Sequence, residues 1–214
     1  MNVLIACESS QTICIAFRNC GINAFSCDIV PCYGNHPEWH IIADVYTIID
    51  GCCTFETESG QIHVIFDKWD LVIIHPPCTY LSNAGASCLF PGGVLNNVRF
   101  FRGLLARQFF IDMLNCDCDK VCVENPTPSK IYNLPACSQV IQPSYFGDPY
   151  LKRTLLWLRG LPPLFATDII SNPESTVTAE WYNKGGLLRQ RNRSKTFPGV
   201  AAAMAAQWGC CSGL

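Results

Sequence analysis

Long apolar runs are missing from this chain. No stretch approaches the roughly 18 residues that a membrane-spanning helix requires, so no membrane partner is expected. A secretory leader is not legible either, because Met1-Asn2 runs straight into Val3-Leu4-Ile5-Ala6-Cys7 without a basic start. An excess of one charge is also lacking. With 15 Lys and Arg against 17 Asp and Glu, and a formal net charge of -2, the chain cannot coat nucleic acid by bulk electrostatics, which leaves only a local basic groove for such a partner. Internal repeats and low-complexity linkers are absent as well.

The 214 residues, 49% of them hydrophobic, suffice for one domain with a buried core. Cysteine is abundant, at 15 residues. Many of these lie inside apolar runs (Cys7, Cys14, Cys27, Cys122), where a reduced thiol acts as a small hydrophobe. The odd count and the missing leader point to a reducing compartment, so a cytoplasmic location is expected. Cys116, Cys118 and Cys122 are close together, and Cys52-Cys53 and Cys210-Cys211 form pairs, but none has paired CxxC spacing. No metal is expected.

Hydrophobic patterning predicts alternating strands and helices. Val3 to Cys7 is a short buried strand; Ser9 or Ser10 then caps a helix in which Ile13, Ala16, Phe17 and Cys20 share a face and which Gly21 ends. Ala24 to Cys27 forms the second strand, closing on Asp28, and Ile41-Ile42 a third, ending at Asp44. Val64 to Phe66 suggests a hairpin strand. Leu71 to Ile74 is fully apolar and stops at His75-Pro76-Pro77, since consecutive prolines cannot continue a ladder. Val94, Val98, Phe101, Leu105 and Phe109 recur at helical spacing, predicting a long amphipathic helix with these residues on its apolar face. Lys120 to Val123 and Thr154 to Leu158 are further strands, and Pro198-Gly199 opens a helix over Ala201 to Trp208. The expected fold is α/β, a doubly wound, mostly parallel sheet, which binds ligands beyond the carboxyl ends of its strands.

Polar residues gather at those ends: Glu8, Asp28, Asp44, Cys78 and Glu124. Cys78 follows a Pro-Pro break that fixes a loop, and it is either a nucleophile or one more buried cysteine. Glu124, at the end of a separate strand and followed by Asn125-Pro126, could hydrogen-bond an activated ring nitrogen or stand solvated.

Together, Pro76-Pro77-Cys78 and Glu124-Asn125-Pro126 resemble the Pro-Pro-Cys and Glu-Asn-Val motifs of the cytosine carbon-5 DNA methyltransferases, most closely the short, phage-type members. The resemblance implies a Rossmann-like class I S-adenosylmethionine-dependent domain over residues 1 to 214, in the host cytoplasm if phage-encoded. By it Cys78 is the covalent nucleophile, Glu124 binds cytosine N3, and Asn125 orders the loop holding Cys78. Tyr145 to Thr154 is similar to the family's segment Tyr-Gly-x-Pro-Gln-x-Arg-x-Arg, placing Lys152 on its first arginine and Arg153 beside it as a nucleic-acid contact. Ala6-Cys7-Glu8-Ser9-Ser10 aligns with the glycine-rich cofactor loop, with Cys7, Ser9 and Ser10 at the three glycine positions. Asp28 with Ile29, Asp44 with Val45, and Pro76 complete the implied cofactor pocket. Phe197 to Ala203 is similar to the family's last motif.

The large recognition domain of sequence-specific members is missing. Only about 161–188 remains as an abbreviated target-recognition insertion, including Trp181 and Tyr182, so low specificity is expected. Arg189, Arg191, Arg193 and Lys195 form the densest positive charge, a candidate phosphate-contacting strip. The expected reaction is methylation of cytosine carbon 5 in DNA, with the target base flipped or single-stranded. The alternatives are the same chemistry on RNA or a free cytidine nucleotide, and a non-catalytic binding module with this fold.

Overall fold

A computed structural model describes residues 1–176 and 185–209, without the side chains of residues 187, 189 and 190. Trp181, Tyr182 and the pair Cys210-Cys211 lie outside the described residues.

Seven strands form one sheet. In chain order they are β1 (Asn2–Ala6), β2 (Asn23–Asp28), β3 (His40–Ile42), β6 (Leu71–Ile74), β7 (Val121–Asn125), β8 (Gln139–Ile141) and β10 (Thr154–Arg159). The spatial order is β3-β2-β1-β6-β7-β10-β8, parallel from β3 through β7, with β10 antiparallel to both of its neighbours. The sheet is therefore mostly parallel and the fold α/β. The chain winds outward from β1 through β2 to β3, then returns through β6 to β7. Doubly wound sheets form their ligand crevice at such a reversal, which here falls at the carboxyl ends of β1 and β6. Two small pairs lie apart: the antiparallel hairpin β4 (Cys53–Glu56) with β5 (Ile62–Ile65), and β9 (Tyr150–Leu151) with β11 (Glu174–Ser175).

Strand alternation divides the core between the two faces of the sheet. Val3, Ile5, Ala24, Leu71, Ile73 and Leu156 pack against α1 (Thr12–Asn19) and α5 (Pro198–Met204), and a π-turn, Ala205–Gly209, carries Trp208 into the same layer. Leu4, Phe25, Val72, Ile74, Val123 and Trp157 pack on the other side, against the long helix α3 (Asn97–Leu114) and the hairpin's Phe55. The short helix α2 (Ala86–Leu89) precedes α3, and α4 (Gly186–Ser194) precedes α5. A parallel sheet buried on both faces requires apolar strands without polar alternation, and β6, Leu-Val-Ile-Ile, is fully buried. At Gly199, a Cβ would come within 1.8 Å of the Phe146 carbonyl, so only glycine lets α5 begin against that loop.

Two local expectations change. The N-terminus of α1 is satisfied chiefly by Glu8, whose carboxylate accepts the N–H groups of Ile13 at 2.7 Å and Cys14 at 3.2 Å, while the Ser10 hydroxyl accepts that of Thr12 at 3.5 Å and Ser9 takes no part. Gln11, held at φ 60, turns the chain so that the longer Glu8 side chain reaches the donors beyond Thr12. The second change concerns α3. Its stripe Val98, Phe101 and Leu105 is exposed, as is Val94 ahead of it, whereas Gly103, Phe110 and Met113 are buried. The helix is apolar on more than one face, so periodicity does not select which face docks. Gly103 does: Tyr132 occupies the space where its Cβ would stand, 2.0 Å from the phenol oxygen, and only this face can approach so closely.

Among the described residues, no helix is long and apolar enough to cross a membrane, no disulfide forms, and no group of three His, Cys, Asp or Glu residues could hold a metal ion.

Candidate active site

Each strand of the crevice delivers one element of the site. After β6 the chain passes through His75, whose N–H still bonds the Ala6 carbonyl at 3.0 Å, and then leaves the sheet at Pro76-Pro77. Cys78, half-buried, heads a turn in which its carbonyl accepts the N–H groups of Leu81 and Ser82. Pro76 is buried, and its carbonyl accepts a hydrogen bond from the Asn125 side chain at 3.1 Å. The neighbouring strand β7 thus ties down the segment that carries Cys78.

Glu124 lies one residue before Asn125, mostly buried, with Oε2 3.0 Å from Nδ1 of His75. Burial pushes its carboxyl up, but the hydrogen bond and charge of His75, joined by the charge of Lys152, outweigh burial and hold it below the usual carboxylate range. Cys78 feels the same surroundings with opposite signs. Burial raises its thiol, the Glu124 charge raises it further, and Lys152 and Arg193 pull it back, leaving it above the ordinary value. Cys78, Glu124, Lys152 and Arg193 therefore share one electrostatic neighbourhood. Lys152 reaches this edge from the turn between β9 and β10, where it donates to the Arg193 carbonyl at 3.0 Å and its ammonium lies 5.8 Å from the centre of the Phe197 ring. Arg153, beside it, is exposed.

The second half of the crevice lies over β1, β2 and β3. Cys7 takes φ 59, a left-handed conformation that favours glycine, and it turns the backbone away from the sheet. Burial pushes its thiol far up, with the charges of Asp28 and Asp44 adding to the rise, so these three residues face one another. Asp28 is half-buried at the end of β2; burial raises its carboxyl despite the N–H groups it accepts, among them that of Ile29 at 2.7 Å. The Ile29 side chain is 75% exposed beyond it. Asp44 is exposed, and its Oδ1 accepts the N–H of Tyr46 to cap a short turn.

Several sequence-derived positions serve this pocket differently from expectation. Glu8 is buried, with both carboxylate oxygens occupied by α1, and Ser10 donates to it at 3.3 Å, so neither side chain is directed outward. Val45 is 5% exposed and Ala6 fully buried, both in the core, which limits them to backbone contributions. Ser9 is half-buried and its carbonyl accepts the Tyr33 N–H. The basic strip divides within α4: Arg191 lies 5.0 Å over the Tyr33 ring, while Arg193 is on the Cys78 side. Lys195 is exposed just past the helix. The side chain of Arg189 lies outside the described residues. His75 and Tyr33 received no role from the sequence. The only signal for His75 was its place between a buried strand and the Pro-Pro break; Tyr33 sits in a loop without a pattern to mark it.

No family model matches the chain, and no curated protein matches it.

Proposed function

We propose that this protein is an S-adenosylmethionine-dependent methyltransferase acting on carbon 5 of a cytosine in DNA, with Cys78 as the covalent nucleophile at carbon 6. The observation that carries this reading is the pairing of Cys78, on a loop secured by Asn125, with Glu124, whose charge acts directly on the thiol. The motifs Pro76-Pro77-Cys78 and Glu124-Asn125, which resemble those of the cytosine carbon-5 methyltransferases, converge here from two strands.

The residues over β1 to β3 fit a nucleoside-bearing cofactor. Asp28 is a half-buried carboxylate raised by burial, a strain that two ribose hydroxyl donors would relieve, and Ile29 beyond it offers an exposed apolar surface for an adenine ring. The left-handed turn at Cys7 and the Ser9 backbone would lie along the amino-acid portion, and Asp44 would receive the adenine amino group. When bound, S-adenosylmethionine supplies an electrophilic methyl group.

The protein's own residues do the rest. The target cytosine must leave its stack to reach the crevice. Cys78 gives up its proton and adds to carbon 6, forming the sulfur–carbon bond. Glu124 holds a proton at N3 and accepts a hydrogen bond from the exocyclic amine. The proton lost at sulfur and the one gained at N3 balance. Electron density then collects at carbon 5, which would accept the cofactor's methyl group; the carbon 5 proton passes to water, and as Cys78 departs from carbon 6 the N3 proton returns to its sulfur through Glu124, restoring the ring. Lys152 stabilises anionic charge beside both groups. Together with Arg193 it suits a phosphate-bearing strand.

Trapping tests this reading. With S-adenosylmethionine, DNA containing 5-fluorocytosine should form a stable adduct with the wild type and none with Cys78→Ala. An adduct that persists in Cys78→Ala overturns the nucleophile. Labelled-methyl transfer compared across duplex and single-stranded DNA, tRNA and dCMP tests the substrate, and transfer to the monomer alone overturns DNA. Calorimetry showing no binding of S-adenosylmethionine would remove the enzymatic reading and favour a binding module.

A further inference from the structure

The proposed chemistry gives no task to His75, although its ring lies at the centre of the site. The side chain is only 10% exposed, Nδ1 is 3.0 Å from Glu124 Oε2, and Nε2 is buried without a hydrogen-bond partner among the described residues. Glu8 faces it from the loop after β1: this buried carboxyl is pushed up by burial, and the charge of His75 is the largest effect opposing that rise. One imidazole therefore bonds Glu124 and also acts through its charge on Glu8.

This placement constrains the proton positions. A carboxylate only accepts, so the hydrogen bond to Glu124 requires the hydrogen on Nδ1, and a second proton, when present, resides on Nε2. Oε2 of Glu124 accepts this bond with one lone pair, leaving Oε1 and the second lone pair of Oε2 to meet a ligand. Among the described residues, the other ionisable groups facing this cluster are Cys78 after β6, Cys122 on β7, Lys152 before β10 and Arg193 on α4, with Cys14 on α1 and Tyr33 beside Glu8.

We propose that His75 is a positioning residue for Glu124: its Nδ1–H bonds one carboxylate oxygen, orienting the group and favouring its ionised form until a cytosine N3 arrives to share a proton. The inference rests on the function proposed above. An ionised Glu124 in the free protein is what allows the proton lost by Cys78 to be taken up and passed to N3. Were Glu124 already protonated, it could not take up the thiol proton and pass it to N3. Burial alone drives Glu124 in that direction, and His75 is the largest opposing influence.

His75→Asn retains a donor near the Nδ1 position but carries no charge, whereas His75→Ala removes both. Two measurements on these variants, using the full chain, separate the possibilities. In the first, titration of Glu124 is followed by carboxyl carbon NMR on glutamate-labelled protein, with Glu124→Gln assigning the resonance. Glu124 should titrate at higher pH in both variants, further in His75→Ala. In the second, the pH profile of methyl transfer is recorded. Turnover should fall about tenfold to a hundredfold, with the acid limb moved to higher pH and KM for the DNA nearly unchanged. An identical Glu124 titration in wild type and both variants overturns the inference, as does an unmoved pH profile. If the wild type forms no fluorocytosine adduct, the proposed function fails, and the NMR titration still decides whether His75 governs Glu124.

Discussion

The side-chain amide of Asn125 donates to the carbonyl of Pro76 at 3.1 Å, joining the end of β7 to the first residue of the loop that presents Cys78. Asn125 is fully buried, so nothing else can take over this bond. Asn125→Ala leaves a buried carbonyl without its donor and should cost about 1 to 3 kcal/mol in urea unfolding. Adduct formation with fluorocytosine DNA should slow, because the thiol is no longer held in one place. A variant that traps DNA at the wild-type rate would dissociate Asn125 from the presentation of Cys78.

Glu124 gives stability a defined pH dependence. Its folded carboxyl lies below the ordinary range, so it contributes stability above the unfolded value, near pH 4.3, which is lost as pH falls through the folded value. Wild type should therefore be more stable than Glu124→Gln at pH 7. The gap should close as pH falls through the folded value, where a protonated glutamate and a glutamine become equivalent. Urea midpoints at a series of pH values provide the check, and a gap of constant size would contradict the ion pair with His75.

The left-handed backbone at Cys7 predicts an ordering of substitutions. Cys7→Gly relieves strain but loses side-chain packing and adds freedom to the unfolded chain, so it should remain within about 1 kcal/mol of wild type. Cys7→Val places a β-branched residue at φ 59 and should cost about 2 kcal/mol or more. Thermal unfolding would show the order, and equal stability of the two variants would refute it.

The two faces of α3 can be told apart by mutation. Leu105 is 72% exposed and Phe110 fully buried. Leu105→Lys should change stability by no more than about 0.5 kcal/mol, whereas Phe110→Ala should cost about 3 to 5 kcal/mol through the cavity left against Trp157. A large loss from Leu105→Lys would mean that the stripe at Val98, Phe101 and Leu105 is covered.

The sequence by itself determined the alternating strands and helices, the breaks at Asp28 and His75, and the candidacy of Cys78 and Glu124, although β7 runs two residues past Val123, through Glu124 and Asn125. Those features are local: apolar runs must be buried, prolines end ladders, and polar residues collect where strands leave a sheet. Tertiary structure alone decided which face of α3 docks, since that depends on the fit of Gly103 to a tyrosine nearly thirty residues away. It also turned Glu8 inward to α1, divided the basic residues of α4 between Tyr33 and the Cys78 side, and brought His75 onto Glu124. A side chain's charge and size are written in the sequence, but its partner across a sheet is set only when distant segments close on one another.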